Sequence, residues 1–209
     1  MLFRSYTHNE QPISHLITFL RAITSRPDLA AAIADLSFRY PPDATDLTIT
    51  DKDFIDTCVT KLGLPIPSKD WHIEGTDRTL PMQTVIAYAS SNLESLHLPV
   101  NEEWDLVLLP SFPDVSPKVT FPRLRHLSID YYYIAGDRWA IGYNQIAPLL
   151  EASPNLEYLA LPTLERFWEH QGIKVPKLKS VKTIDLGESS SGMFFVTSII
   201  TSCESLQSF

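Results

Sequence analysis

The sequence predicts an α/β solenoid of leucine-rich repeats: a curved parallel sheet with helices on its outer face, in irregular units of about 25–32 residues. Three observations predict it. One strand motif, L-x-x-L-x-L, is written several times over. An apolar helical stripe precedes the copies. Prolines outnumber glycines, 16 to 7, and most stand just before or after a strand motif, where they end an element.

The clearest copy is SPNLEYLAL at residues 153–161, and SSNLESLHL at 90–98 has the same frame, each followed by a proline. Further copies are Leu124, Leu127, Ile129 in FPRLRHLSID, Val181, Ile184, Leu186 in SVKTIDL, and Ile33, Leu36, Phe38 in IADLSF. The first slots Leu93, Leu124, Leu156, Val181 and Leu206 stand 31, 32, 25 and 25 residues apart. Ile33 lies 60 residues before Leu93, room for two units, with no clean copy between. At the fifth strand, Leu178 and Val181 compete for the first slot. A further copy opens with Leu206 and Phe209 and breaks off, so the chain is expected to be a fragment of a longer protein or a truncated reading frame.

Helices are predicted from i, i+3, i+4, i+7 stripes. The stripes are Ile13, Leu16, Ile17, Leu20; Ile55, Cys58, Val59, Leu62; Met82, Val85, Ile86, Ala89; Ile146, Leu149, Leu150, Ser153; and Val196, Ile199, Ile200, Cys203. Shorter versions occur at Trp104, Val107, Leu108 and at Leu164, Phe167, Trp168. Asp51 and Asp53 are expected as cap and first turn of their helix, where carboxylates meet the positive end of the dipole. A short turn is expected in RPDLAAA, from Pro27 to Ala32.

These elements make a single domain, 1–209. An N-terminal unit spans 1–42, an irregular insertion 43–78, and regular repeats 79–209. The insertion carries one helix and a Pro-rich connection held down by Trp71. A Pro-rich loop at 110–122 and the run Tyr131, Tyr132, Tyr133 interrupt the repeats.

With 44% hydrophobic residues in 209, the chain can bury a core of its own. A net charge of −8, with no run of Lys and Arg along the sequence, argues against a nucleic-acid partner. No apolar run reaches the roughly 18–20 residues that cross a bilayer, and MLFRSYTHNEQP holds no hydrophobic signal core. Two cysteines and no N-x-Ser/Thr acceptor point to an intracellular place, cytoplasm or nucleus.

No catalytic motif is complete in the sequence. GESSSG at 187–192 has Ser191 where the nucleophile elbow G-x-S-x-G requires glycine, and it reads instead as a turn capping the helix that begins near Met193. His8, His15, His72, His97, His126 and His170 show no metal-ligand spacing. Asp51 and Asp53 lack the glycine and glutamate of a calcium loop. No phosphate-cradling glycine loop occurs. The expectation is no catalytic residue, no metal and no cofactor.

What remains is surface. Side chains alternate along a strand, so with the leucines inward the other positions line the concave face. They are Asp35, Ser37, Arg39; Ser95, His97, Pro99; His126, Ser128, Asp130 and, by alternation, Tyr132; Tyr158, Ala160, Pro162; and Thr183, Asp185, Gly187. The candidate partner-binding residues are Arg39, His97, His126, Asp130, Tyr132, Tyr158, Thr183 and Asp185, because His, Tyr and Asp in register supply anchors and polar contacts. The tyrosine run is the strongest cluster, since aromatics with a polar tip are enriched at interfaces. The bland alternative is a solvated, β-compatible sheet surface.

The order helix, RPDLA, short strand, then repeated P-N-L-E-x-L-x-L resembles the leucine-rich-repeat region of F-box-like proteins of filamentous fungi. The likeness covers nearly the whole chain. MLFRSY matches the strand that follows the F-box in those proteins, and ITFLRAITSRPDLAAAIADLSF the first helix and strand. The resemblance implies a substrate-recognition region that presents a protein partner to a ubiquitin ligase. A Skp-type adaptor and a cullin enter where an F-box of the form L-P-x-E-I lies upstream. The alternative is a free-standing or truncated repeat protein with a structural or adaptor role.

Overall fold

The structure, a computed structural model, describes residues 5–7, 13–38, 47–63, 79–90, 92–101, 120–132, 149–161, 176–186 and 193–208. Its centre is a six-stranded, all-parallel sheet whose strands follow one another in chain order: β1 (Ser5–Thr7), β2 (Asp35–Ser37), β3 (Ser95–Asn101), β4 (His126–Tyr132), β5 (Tyr158–Ala160) and β6 (Thr183–Asp185). The MLFRSY segment, expected as a strand from the resemblance, overlaps β1 at Ser5 and Tyr6, and β1 pairs with β2.

Pairing aligns the motif copies slot for slot. Leu36 stands beside Leu96, then Leu127, Leu159 and Ile184. All five are at most 1% exposed. The first slots Ile33, Leu93, Leu124, Leu156 and Val181 are buried as well, and so are the third slots Phe38, Leu98, Ile129 and Leu161. Burying one such side chain contributes roughly 1.5–3 kcal/mol, so the ranks account for much of the driving force. The competition at the strand expected as the fifth, which is β6 once β1 is counted, ends in Val181's favour, since Leu159 opposite Ile184 puts Leu156 beside Val181. Leu178 is buried one turn earlier and bridges to Cys203.

Each strand entrance carries the same backbone contact. The carbonyls of Ala34, Glu94, Arg125, Glu157 and Lys182 each accept two successive amides from the next unit, at 2.7 to 3.1 Å. The last pair comes from Gln207 and Ser208, so the copy opened by Leu206 has begun to stack, and Leu206 packs against the core. A side-chain brace runs beside it. Asn92 Nδ2 donates to Ala31 O at 2.9 Å, Asn155 Nδ2 to Pro122 O at 2.7 Å, Ser180 Oγ to Pro154 O at 3.1 Å and Ser205 Oγ to Lys179 O at 2.7 Å. These donors occupy one position of the repeat, just ahead of the first leucine.

The helices are α1 (Ile13–Ser25), α2 (Pro27–Ala32), α3 (Ile49–Leu62), α4 (Thr79–Ala89) and α5 (Met193–Ser202). One continuous cluster joins their stripes to the strand ranks, so they cover the leucine side of the sheet. The RPDLA segment is a short helix rather than a turn: Pro27 sits at its start, where no amide donor is lost, and the preceding Arg26 is held out of the helical region. Arg26 then grips Asp28 through two hydrogen bonds of 2.9 and 2.6 Å.

At α3 the cap is Thr48, not Asp51. Thr48 and Asp51 form a reciprocal capping box, and Gly63 closes the far end in the left-handed region at φ 64°. Asp53 follows in the helix. The insertion helix is anchored rather than peripheral. Ile55, Cys58 and Val59 are buried in the common core, while Arg21 of α1 pairs with Asp51 at 2.9 Å and lies 5.1 Å above the Phe54 ring. Among the described residues of 146–153, residues 149–151 are helical, with Leu149 and Leu150 buried. The stripes at 104–108 and 164–168, Trp71 with its connection, and GESSSG lie outside the described residues; α5 does start at Met193.

Candidate interaction face

The polar side of the sheet is assembled by parity and register together. Asp35, Ser95, His126, Tyr158 and Thr183 form one row across the strands, and Ser37, His97, Ser128, Ala160 and Asp185 the next. Of the candidate residues, His97, His126, Tyr158, Thr183 and Asp185 are exposed or half-buried. Asp130 and Tyr132 lie on the same strand as His126, opposite Pro99 and Asn101. Arg39 lies outside the described residues, as do Tyr133, Pro162 and Gly187.

Three of these side chains touch. The His126 and Tyr158 rings stand 6.0 Å apart, tilted by 41°, and the Tyr158 hydroxyl donates to Asp185 Oδ2 at 3.1 Å. Thr183 Oγ1 lies 3.1 Å from Ser208 Oγ. A diagonal of imidazole, phenol and carboxylate therefore crosses β4, β5 and β6. It presents an aromatic surface with a hydrogen-bonding end, the combination favoured at binding hot spots. Ala160 departs from the expectation of an open position. At 6% exposed it is buried, because its single methyl group stands in register between Ser128 and Asp185, which reach further out.

Ahead of the strands the stack builds something the linear sequence does not display. Glu94, Arg125, Glu157 and Lys182 occupy one repeat position in four successive units, and their charges alternate. Arg123 pairs with Glu94 at 2.9 Å, Arg125 approaches Glu157 at 3.6 Å, and Lys182 meets Glu157 at 2.7 Å. The hydrogen bond from Lys182, then the neighbouring positive charges, hold the Glu157 carboxyl below its ordinary range. With Lys179, these side chains line a groove of about 430 Å³. The absence of a Lys/Arg run along the sequence therefore hid a cluster of four cations. Residues 56 apart, Arg123 and Lys179, line one groove only because the units stack.

Burial pushes the thiols of Cys58 and Cys203 up, so both stay protonated and weakly nucleophilic near neutral pH. Among the described residues no three His, Cys, Asp or Glu side chains gather as metal ligands, and no helix is long and apolar enough to cross a membrane. Comparison with family models, with curated proteins and with solved structures finds no match. The functional reading therefore rests on geometry and sequence.

Proposed function

We propose that this chain is a leucine-rich-repeat solenoid that works as a non-catalytic protein-interaction module, binding its partner on the polar face of the sheet. The observation that carries the reading is the diagonal of His126, Tyr158 and Asp185 on three neighbouring strands, held in place by a register that repeats across the stack. Its mechanism is positioning alone. Rigid strands hold the side chains, the partner supplies complementary groups, and no bond is made or broken. His97 and Thr183 flank the diagonal, and Asp130 and Tyr132 follow His126 along β4.

Following the resemblance to F-box-like proteins, the partner is one presented for ubiquitination in the cytoplasm or nucleus, with a Skp-type adaptor and a cullin recruited through an F-box outside these residues. The test uses a photo-crosslinking amino acid placed singly at His97, His126 or Thr183, with Lys52 on α3 as the control. Expression in the native cell should give one crosslinked species from the face positions and none from Lys52. Crosslinks from Lys52 alone would overturn the face assignment. Ubiquitination of the crosslinked species that does not fall when the Skp-type adaptor is depleted would remove the ligase step and leave the binding face standing.

A further inference from the structure

The geometry points to a second binding surface: the groove lined by Glu94, Arg123, Arg125, Glu157, Lys179 and Lys182 takes an acidic peptide segment, with carboxylates seated at its Lys179–Lys182 end. This goes beyond the face reading and does not depend on it.

Four cations and two carboxylates line the groove, a local excess of positive charge in a chain of net charge −8. The ion pairs already made are unevenly placed. Glu94 engages Arg123, and Glu157 is shared between Arg125 and Lys182. Lys179 forms no ion pair among the described residues. It stands three residues from Lys182, and both ammonium groups keep donors free, since each carries three. Arg125, at 3.6 Å from Glu157, is loosely held and can turn one edge of its guanidinium to an incoming carboxylate in the bidentate manner.

The uncharged polar side chains of the lining are already engaged. Asn155, Ser180 and Ser205 donate to backbone carbonyls of the preceding unit. That leaves the charged rim to do the recognition. At about 430 Å³ the groove has the capacity of a small-ligand cleft, enough for a few side chains of a peptide.

The charge pattern favours a peptide over a nucleic acid. A phosphodiester carries a negative charge at every residue, and along this groove it would meet Glu94 and Glu157 as well as the cations. A peptide can place carboxylates beside Lys179 and Lys182 and neutral or basic side chains beside Glu94. The overall charge of −8 repels a polyphosphate backbone elsewhere on the surface and limits the contact to a short segment.

The test is fluorescence anisotropy with the full 209-residue chain at low ionic strength. The probes are fluorescein-labelled hexaglutamate, hexaglutamine and an oligothymidylate of matched charge. Hexaglutamate should bind at least about tenfold tighter than hexaglutamine and weaken with added salt, as exposed charge pairs do. Lys179→Glu should weaken it at least about tenfold, whereas Lys61→Glu, the same charge change on α3, should leave it within about twofold. Lys179 and Lys61 are both exposed, so thermal melts should show both variants folded, with Lys61→Glu slightly lowered because it reverses a favourable charge in the last turn of α3. His97→Ala should not alter peptide binding, which separates this site from the face. Equal binding of the two peptides, or equal damage from the two lysine variants, would overturn the proposal. Tighter binding of the oligothymidylate would assign the groove to nucleic acid instead.

Discussion

Between β5 and β6 the chain uses 25 residues to advance one strand, and between β2 and β3 it uses 60, yet the two pairings are the same. Leu159 meets Ile184 as Leu36 meets Leu96. Glu157 O accepts the amides of Lys182 and Thr183 as Ala34 O accepts those of Glu94 and Ser95. Register is therefore specified at the strand entrance, by the leucine slots and the two-amide contact, and the length between entrances is free to vary. Loop-closure entropy grows only slowly with length, so the longer interval is tolerated. Its surplus is used in α3, whose buried Ile55, Cys58 and Val59 and whose tie to Arg21 make it part of the core.

The comparison can be broken most severely at a shared slot. Leu159→Asp places an unpaired charge between β4 and β6 at a site 0% exposed and should cost more than about 4 kcal/mol, enough to unfold the domain in a thermal melt. Tyr158→Ala, one residue away on the opposite face, should leave the melt nearly unchanged and abolish crosslinking at the face. The reverse outcome would mean that inward and outward faces have been exchanged.

A smaller effect tests the long interval. Ile55→Ala removes a fully buried side chain of α3 and should destabilise by about 2–5 kcal/mol in urea unfolding, as core truncations do. A cost below about 0.5 kcal/mol would make α3 a surface appendage. On the neighbouring α4, Gln83 is 1% exposed and its Oε1 has no hydrogen-bond partner among the described residues. Gln83→Met should therefore stabilise the fold by about 1 kcal/mol.

The smallest effect concerns the charge ladder. Glu157 has a lowered pKa in the fold, chiefly from the Lys182 hydrogen bond. Its contribution is present above the ordinary carboxylate range and is lost as pH falls through the folded-state value. Lys182→Gln should consequently destabilise slightly at neutral pH, and the difference from the parent should vanish in acid. A deficit that persists at low pH would mean that Lys182 acts through packing instead.

Much of this was legible in the sequence, for a physical reason. L-x-x-L-x-L encodes which side chains face inward, and period-two alternation then assigns His97, His126, Tyr158, Thr183 and Asp185 to the other face without further information. The first slot ahead of β6 was not legible, because Leu178 and Val181 are both apolar and only pairing with Leu156 separates them. The cap at Thr48 carried a T-x-x-D signal that the acidic pair Asp51 and Asp53 obscured. The groove was illegible in principle from a linear scan for basic runs. Arg125 and Lys182 become neighbours of Glu157 only once the repeat positions are laid one above another. Such an alignment would also have shown Asn92, Asn155, Ser180 and Ser205 as one bracing position.

The copies stack in chain order with their slots in register. Spin labels at Asp35 and Thr183, in a background with Cys58→Ala and Cys203→Ser, test it directly by pulsed electron resonance. Four strand spacings separate the two positions in one row, so a single narrow distance near 19 Å is expected from a spacing of about 4.8 Å. A broad distribution, or a distance beyond about 30 Å, would contradict the sequential parallel stack and with it the shared face.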